Sequence, residues 1–270
     1  MSGNGAGPIV SAHVFTFRSP RDAGRSLARD RERLARVPGL RFARLVFAGA
    51  RRTESMSVGW IDPRRQLAMC VWDEEAALDR FRERSPIGRA WRGQTDQHCE
   101  VRMAPFRTHG TYQGLEPLAG LGAQAAPAGP VAMLTFANIP ARGLLYFYRG
   151  IHRSTEPLLA SDGLIAAVGG PERLGRGGMT FTIWDSLPEA LGFSYRREPH
   201  RGIVQSVREH ERLIDSMFIR ARPYAIEGDW FPWSRFAGRF DDFARSMRSA
   251  PAPGPPAATP PGPAFRSPTA

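Results

Sequence analysis

Apolar and polar positions change period along the chain, and each change marks an element. His13–Phe17 alternates and predicts a strand. Ser19-Pro20-Arg21-Asp22 then opens a helix, with serine as the N-cap and proline just inside. Ala23, Leu27, Leu34 and Val37 fall on one face of it. Leu40–Ala48 and Gln66–Trp72 read as strands two and three. Asp73 is expected to cap a helix carrying Ala77, Leu78 and Phe81, which Pro86 interrupts. Cys99–Phe106 closes the set as a fourth strand, flanked by His98 and His109.

The pattern then repeats. Val131–Ala137 predicts a strand. Arg142–Leu159 predicts a helix with Leu144, Phe147, Ile151 and Leu158 on one face. Gly163–Val168 and Met179–Trp184 are strands, and Ser186 caps the next helix with Glu189 as its capping-box partner. Pro199 starts a further helical segment carrying Ile203, Val204 and Val207, and Ser216–Ile226 is the last strand. Val71-Trp72-Asp73 and Ile183-Trp184-Asp185 occupy matching places 112 residues apart. The following prolines, Pro86 and Pro199, come 14 and 15 residues after each tryptophan. This is βαββαβ twice, an α+β chain built from two ferredoxin-like halves. Joined in one chain, the halves form an intramolecular version of the dimeric α+β barrel and can enclose a cavity. The alternative is two adjacent ferredoxin-like domains without a shared interior.

The boundaries follow from composition. Residues 1–11 precede the first strand and read as a disordered N-terminus. Residues 12–114 are the first half, 115–130 a small-residue Pro/Gly linker, and 131–232 the second half. Residues 233–248 read as an amphipathic helix, with Phe236, Phe240, Phe243 and Met247 at helical spacing among Arg and Asp. Such a helix docks on its own domain or lies on a membrane surface, giving peripheral membrane contact through 234–248. Residues 249–270 are Pro/Ala-rich and read as a disordered tail.

Charge changes the picture less than its size suggests. The formal net charge is +11, and all 37 cationic residues are arginine. A nucleic-acid binder usually mixes lysine with arginine, so the absence of lysine points to coding bias, and no nucleic-acid partner is expected. The two cysteines, Cys70 and Cys99, make neither a disulfide scaffold nor a structural zinc site. There is no secretory signal and no run long enough to span a membrane, so a cytoplasmic protein is expected. The run Gly169–Gly178 lacks the Lys-Ser/Thr ending of a phosphate loop and reads as a flexible hairpin loop at a cavity mouth.

The second half carries a family resemblance. Its stretches are Gly129-Pro130-Val131-Ala132-Met133-Leu134-Thr135, Leu145-Tyr146-Phe147-Tyr148, and Thr180-Phe181-Thr182-Ile183-Trp184. Pro199-His200 with Ile203, Val207-Arg208-Glu209, Phe218 and Gly228-Asp229-Trp230 complete the ordered set. Together they resemble the spheroidene monooxygenase family, the carotenoid 2-ketolases of purple bacteria. The resemblance is clear over 129–230 and faint before it. The departures are the tail, the segment 231–248 and Gly-Gly-Pro at 169–171.

What the resemblance implies is a haem-dependent monooxygenase. It would use O₂ and an external electron donor, such as a donor protein, to oxidise an apolar small molecule such as a carotenoid. Two alternatives stay open: a cofactor-free monooxygenase of the same fold, and a non-enzymatic module binding haem or another hydrophobic ligand.

Haem needs an axial ligand, and His200 leads the candidates. It follows Pro199 in the first turn of the expected helix, on the face of Ile203, Val204 and Val207, where the first half has Ile87. A helix N-terminus favours the neutral, metal-binding ring. The plainer reading is a half-buried histidine bonded to a backbone carbonyl. His152 and His13 are second choices, His13 as a residue that could line a cavity; His98, His109 and His210 rank lower. Arg220 and Arg222 share a face of the last strand and suit haem propionates, or else form a solvated face. Cys70 reads as core, and Trp72 and Trp184 as packing anchors.

Overall fold

The computed structural model describes residues 7–49, 61–172, 177–196, 213–230 and 236–249. The predicted helical segment after Pro199, with His200 and His210, lies outside the described residues, as do most of the N-terminus and the 250–270 part of the tail.

Each predicted strand is present and longer than expected. The first half contains β1 (Ile9–Phe17), α1 (Pro20–Leu34), β2 (Leu40–Gly49), β3 (Ile61–Trp72), α2 (Glu75–Arg84), α3 (Pro86–Gly93) and β4 (Thr95–Gly110). The second contains β5 (Val131–Asn138), α4 (Leu144–Leu159), β6 (Leu164–Glu172), β7 (Gly177–Trp184), α5 (Leu187–Arg196) and β8 (Asp215–Gly228). A final helix, α6, spans Ala237–Ser249. Ser19 caps α1 as expected, accepting from the Asp22 amide. Asp73 does not cap α2. It accepts from Arg41 at 2.6 Å, and Glu74 holds the N-cap position without a side-chain bond. Pro86 starts α3, whose cap is Ser85, because a proline ring fits a first turn but not a helix interior.

One eight-stranded sheet runs through the molecule in the order β2-β3-β1-β4-β8-β5-β7-β6. Every neighbouring pair is antiparallel. The order is palindromic about the β4–β8 ladder, so the duplication is visible as a pseudo-twofold. Ile9 pairs with Trp72 as Val131 pairs with Trp184. The edge strands β2 and β6 come together and close the barrel. Gly170 makes that seam fit, since a Cβ there would collide with the Phe47 carbonyl oxygen. The glycines at 169–170 and 177–178 therefore lie in β6 and β7 rather than in the predicted loop, whose remaining positions 173–176 lie outside the described residues. Sequence propensity assigns glycine to loops, but here it is needed in strands that pass close to another backbone.

Alternation along each strand sorts side chains into an interior and an outer layer. The interior takes residues from all eight strands, among them Val14, Val46, Met69, Val101, Phe136, Val168, Phe181 and Ile219. Tyr112 and Trp230 follow the ends of β4 and β8 and join this core from opposite ends of that ladder. The α6 helix docks on its own domain. Phe240 stacks on Trp230 at 4.7 Å, Phe243 and Ala244 are buried with it, and Arg239 pairs with Asp185 and the Asp162 carbonyl. The barrel interior is thus filled with side chains. The segment 115–130 crosses between halves without helix or strand, yet Leu118 is buried in the same core.

Two outer layers complete the packing. In the first half, Phe15, Phe17, Leu45, Cys70 and Trp72 meet Ala23, Leu78, Phe81, Ile87 and Trp91 of the helices. In the second, Val131, Ala167 and Trp184 meet Leu159 and Phe193.

Candidate active site

The two outer layers differ at matching positions, and the difference makes a site. The registers equate Phe15 with Ala137, Gln66 with Gly178, Leu45 with Gly169 and Phe47 with Pro171. Large side chains in the first half are small or ring-closed residues in the second. The result is a shallow cleft, open to solvent, between α4 and the sheet. Thr135, Ala137, Gly170, Pro171, Gly178 and Thr180 form its floor, and Phe147, Tyr148 and Ile151 of α4 form its wall. This explains why the predicted apolar face of α4 is only half-buried at Phe147 and Ile151. The expected cavity is therefore outside the barrel, because the interior is occupied by its own side chains.

The cleft's polar atoms are few. Thr135 and Thr180 are paired across β5 and β7 and offer hydroxyls from the floor. Burial raises the Tyr148 phenol to about 12, so it keeps its proton at neutral pH. Few polar groups in a largely apolar recess is the usual make-up of a site for an apolar ligand.

Arg220 and Arg222 sit on β8, half-buried, on the outer side of the sheet. Arg220 is opposite Met133 of β5, and Phe218 is opposite Thr135 on the cleft floor. Neither arginine pairs with a described carboxylate. His200 lies outside the described residues. Ile87, its counterpart in the duplication, is buried in the outer layer of the first half. His152 is exposed on α4, and His109 is exposed within β4 rather than beside it.

His13 does not line the barrel or the cleft. It is on the outer side of β1, buried under α3, with its ring edge-on to Trp91. His98 also lies within β4, and with Glu100 it faces His13. Starting the strand at Cys99 hid this, since residues 98 and 100 share a face only if both are in the strand. Asp30 was missed as well. It is fully buried and accepts from Ser26, Arg29 and Trp91, tying α1 to α3. Both cysteines are buried, and burial pushes both thiols far up, so neither offers a thiolate. Trp72 donates to Ser11 and Trp184 to Thr182, as packing anchors with satisfied N–H groups.

A single chain that repeats the ferredoxin-like unit, closes one barrel and opens an apolar cleft outside one half is a dimeric α+β barrel protein in fused form. Its outline matches aldoxime dehydratase in complex with butyraldoxime, with a TM-score of 0.54 at 11% identity over 86% of each chain. That likeness concerns the fold. No family model matches the chain. Among curated proteins, spheroidene monooxygenase of Rubrivivax gelatinosus is 30% identical over 193 residues, 72% of each chain. The Rhodobacter capsulatus spheroidene monooxygenase is 23% identical over 227 residues, 83% of this chain and 93% of that one. The chain belongs to the spheroidene monooxygenase family, and it is a monooxygenase. Among the described residues, no helix is long and apolar enough to cross a membrane.

Proposed function

We propose that the protein is a haem-dependent monooxygenase that oxidises an apolar polyene of the carotenoid class, and that the second-half cleft is where this happens. The observation that carries the reading is the paired loss of side chains at Ala137, Gly169, Pro171 and Gly178 relative to the first half. It bares a stretch of flat sheet beneath an aromatic wall. Such a recess suits a flat, apolar group or a conjugated chain, and the curated relatives are named for a carotenoid substrate.

The residues present fit haem in character. The floor and wall are apolar, and Arg220 and Arg222 on the adjoining strand suit carboxylate groups at a cofactor edge. His200 is the residue that would hold the haem iron. Its first-half counterpart packs in the layer outside the sheet, the layer that holds the cleft in the second half. Bound there, haem would supply O₂ activation. In a monooxygenase one oxygen atom enters the substrate and the other leaves as water, with two electrons from an outside donor. Phe147 and Ile151 hold the apolar substrate and keep bulk water from the reacting carbon. The neutral Tyr148 phenol and the threonine hydroxyls orient whatever polar edge is presented.

The test is product formation from a carotenoid under ¹⁸O₂, with a reductase, by the wild-type chain and by His200→Ala. Labelled product from wild type alone supports the proposal. Labelled product from a colourless protein, unaffected by His200→Ala, supports cofactor-free chemistry instead.

A further inference from the structure

The first half holds a cluster that the monooxygenase reaction does not use. His13, His98 and Glu100 each present one donor atom, and the three atoms lie within 4.8 Å of one another. His13 Nδ1 is 3.3 Å from His98 Nε2 and 3.5 Å from Glu100 Oε2. Donors bound tetrahedrally at about 2.0–2.2 Å are about 3.3–3.6 Å apart, so these gaps match the edges of a coordination tetrahedron. Three donors on adjacent strands β1 and β4 are also rigidly held.

A second observation points to a missing ligand. Glu100 is almost fully buried, yet its Oε2 accepts no hydrogen bond. Arg82 Nε lies 3.3 Å away without hydrogen-bond alignment, while Glu100 Oε1 accepts from Arg102 at 2.8 Å. An orphan carboxylate oxygen inside a protein is costly and calls for a partner.

Charge allows a cation despite the two guanidiniums. Arg82 and Arg102 are engaged by Glu75, Asp79 and Glu227 as well as Glu100. Four carboxylates therefore face two arginines, and a divalent ion would balance the excess. The remaining atoms are arranged as outer support. His13 Nε2 is 2.9 Å from Ser11 Oγ, and Ser11 is fixed in turn by the Trp72 indole N–H. If His13 Nε2 carries the proton, Nδ1 keeps its lone pair for the metal.

We infer that His13, His98 and Glu100 form a binding site for one divalent transition-metal ion, of the zinc or ferrous class, outside the barrel and apart from the cleft. The half-buried His98 gives the entry side. Two imidazoles and one carboxylate leave a fourth position for water. The second half has Thr135, Ser216 and Phe218 at the matching positions, so among the described residues the site occurs once.

The test uses the untagged full chain. Zn²⁺ and, separately, Co²⁺ are present during expression, and bound metal is then counted by mass spectrometry after extensive dialysis. Because haem contributes iron, zinc and cobalt are the diagnostic ions. One equivalent of either in wild type, falling at least tenfold in His98→Gln and in Glu100→Gln, is expected. His98→Gln is the safer variant for folding, because it is at the edge of the cluster. Circular dichroism confirms that each variant compared is folded. Wild type holding less than a tenth of an equivalent of both ions overturns the inference. So does a folded His98→Gln that retains the full equivalent.

Discussion

Replacing Ala137 with phenylalanine would restore in the second half what Phe15 does in the first. The register supports the swap, because Phe15 lies opposite Gln66 just as Ala137 lies opposite Gly178. Space supports it too. Ala137 lines an apolar cleft open to solvent, and its cross-strand neighbour Gly178 has no side chain to meet the ring. Burying the ring should stabilise the fold by about 1–2 kcal/mol, which raises the melting temperature by roughly 2–6 °C. The same ring occupies the ground on which the polyene would lie, so turnover should fall at least a hundredfold. Thermal melting and a carotenoid oxidation assay on the same preparation read both effects. A variant that is more stable and inactive marks the cleft as a site left empty for a ligand. Full activity would refute the assignment of the cleft. A loss of more than about 2 kcal/mol, the range of overpacking, would refute the account of its free volume.

Other outcomes follow from the same packing. Gly170→Ala should destabilise by about 2 kcal/mol or more, because its Cβ meets the Phe47 backbone at the seam. Gly178→Ala should be neutral or slightly stabilising, since its Cβ meets only the Gly170 carbonyl at 3.6 Å; urea unfolding separates the two, and equal effects would contradict the seam. Asp30→Ala strands the buried Trp91 indole N–H and Ser26 hydroxyl in the first-half layer and should cost about 2–4 kcal/mol. A loss below about 1 kcal/mol would show that these bonds are not what holds α1 to α3. Cys70 and Cys99 should resist iodoacetamide at pH 8.5 in the native protein, because both are buried with strongly raised thiols. Two alkylated thiols appearing only in denaturant is the expected mass-spectrometric result, and labelling of the native fold would contradict it.

The strand order and the duplication were legible because they rest on local signals. Alternation, the Ser19-Pro20 cap and the paired Trp-Asp stretches each survive without tertiary knowledge. What escaped depends on contacts between distant segments. The glycines of β6 and β7 read as a loop because glycine disfavours strands, whereas their role is to let β6 approach β2. The cleft was written in the sequence as four paired differences between the halves. Pairing Ala137 with Phe15 and Gly178 with Gln66 needs a register that periodicity alone does not fix to the residue. His13 was placed on the correct side of its strand but assigned to a cavity, because sequence does not say which side of a barrel wall is occupied. Asp73 resembled a cap by position, yet Arg41 on the neighbouring strand claims it.

The central claim is that this monooxygenase holds haem through its second half. Its most direct test is a haemin titration of the purified full chain, followed by visible absorption, beside His200→Ala. The account predicts a sharp Soret band that saturates at one haem per chain and is lost or shifted in the variant. A wild-type protein that stays colourless as purified and takes up no haemin would contradict it.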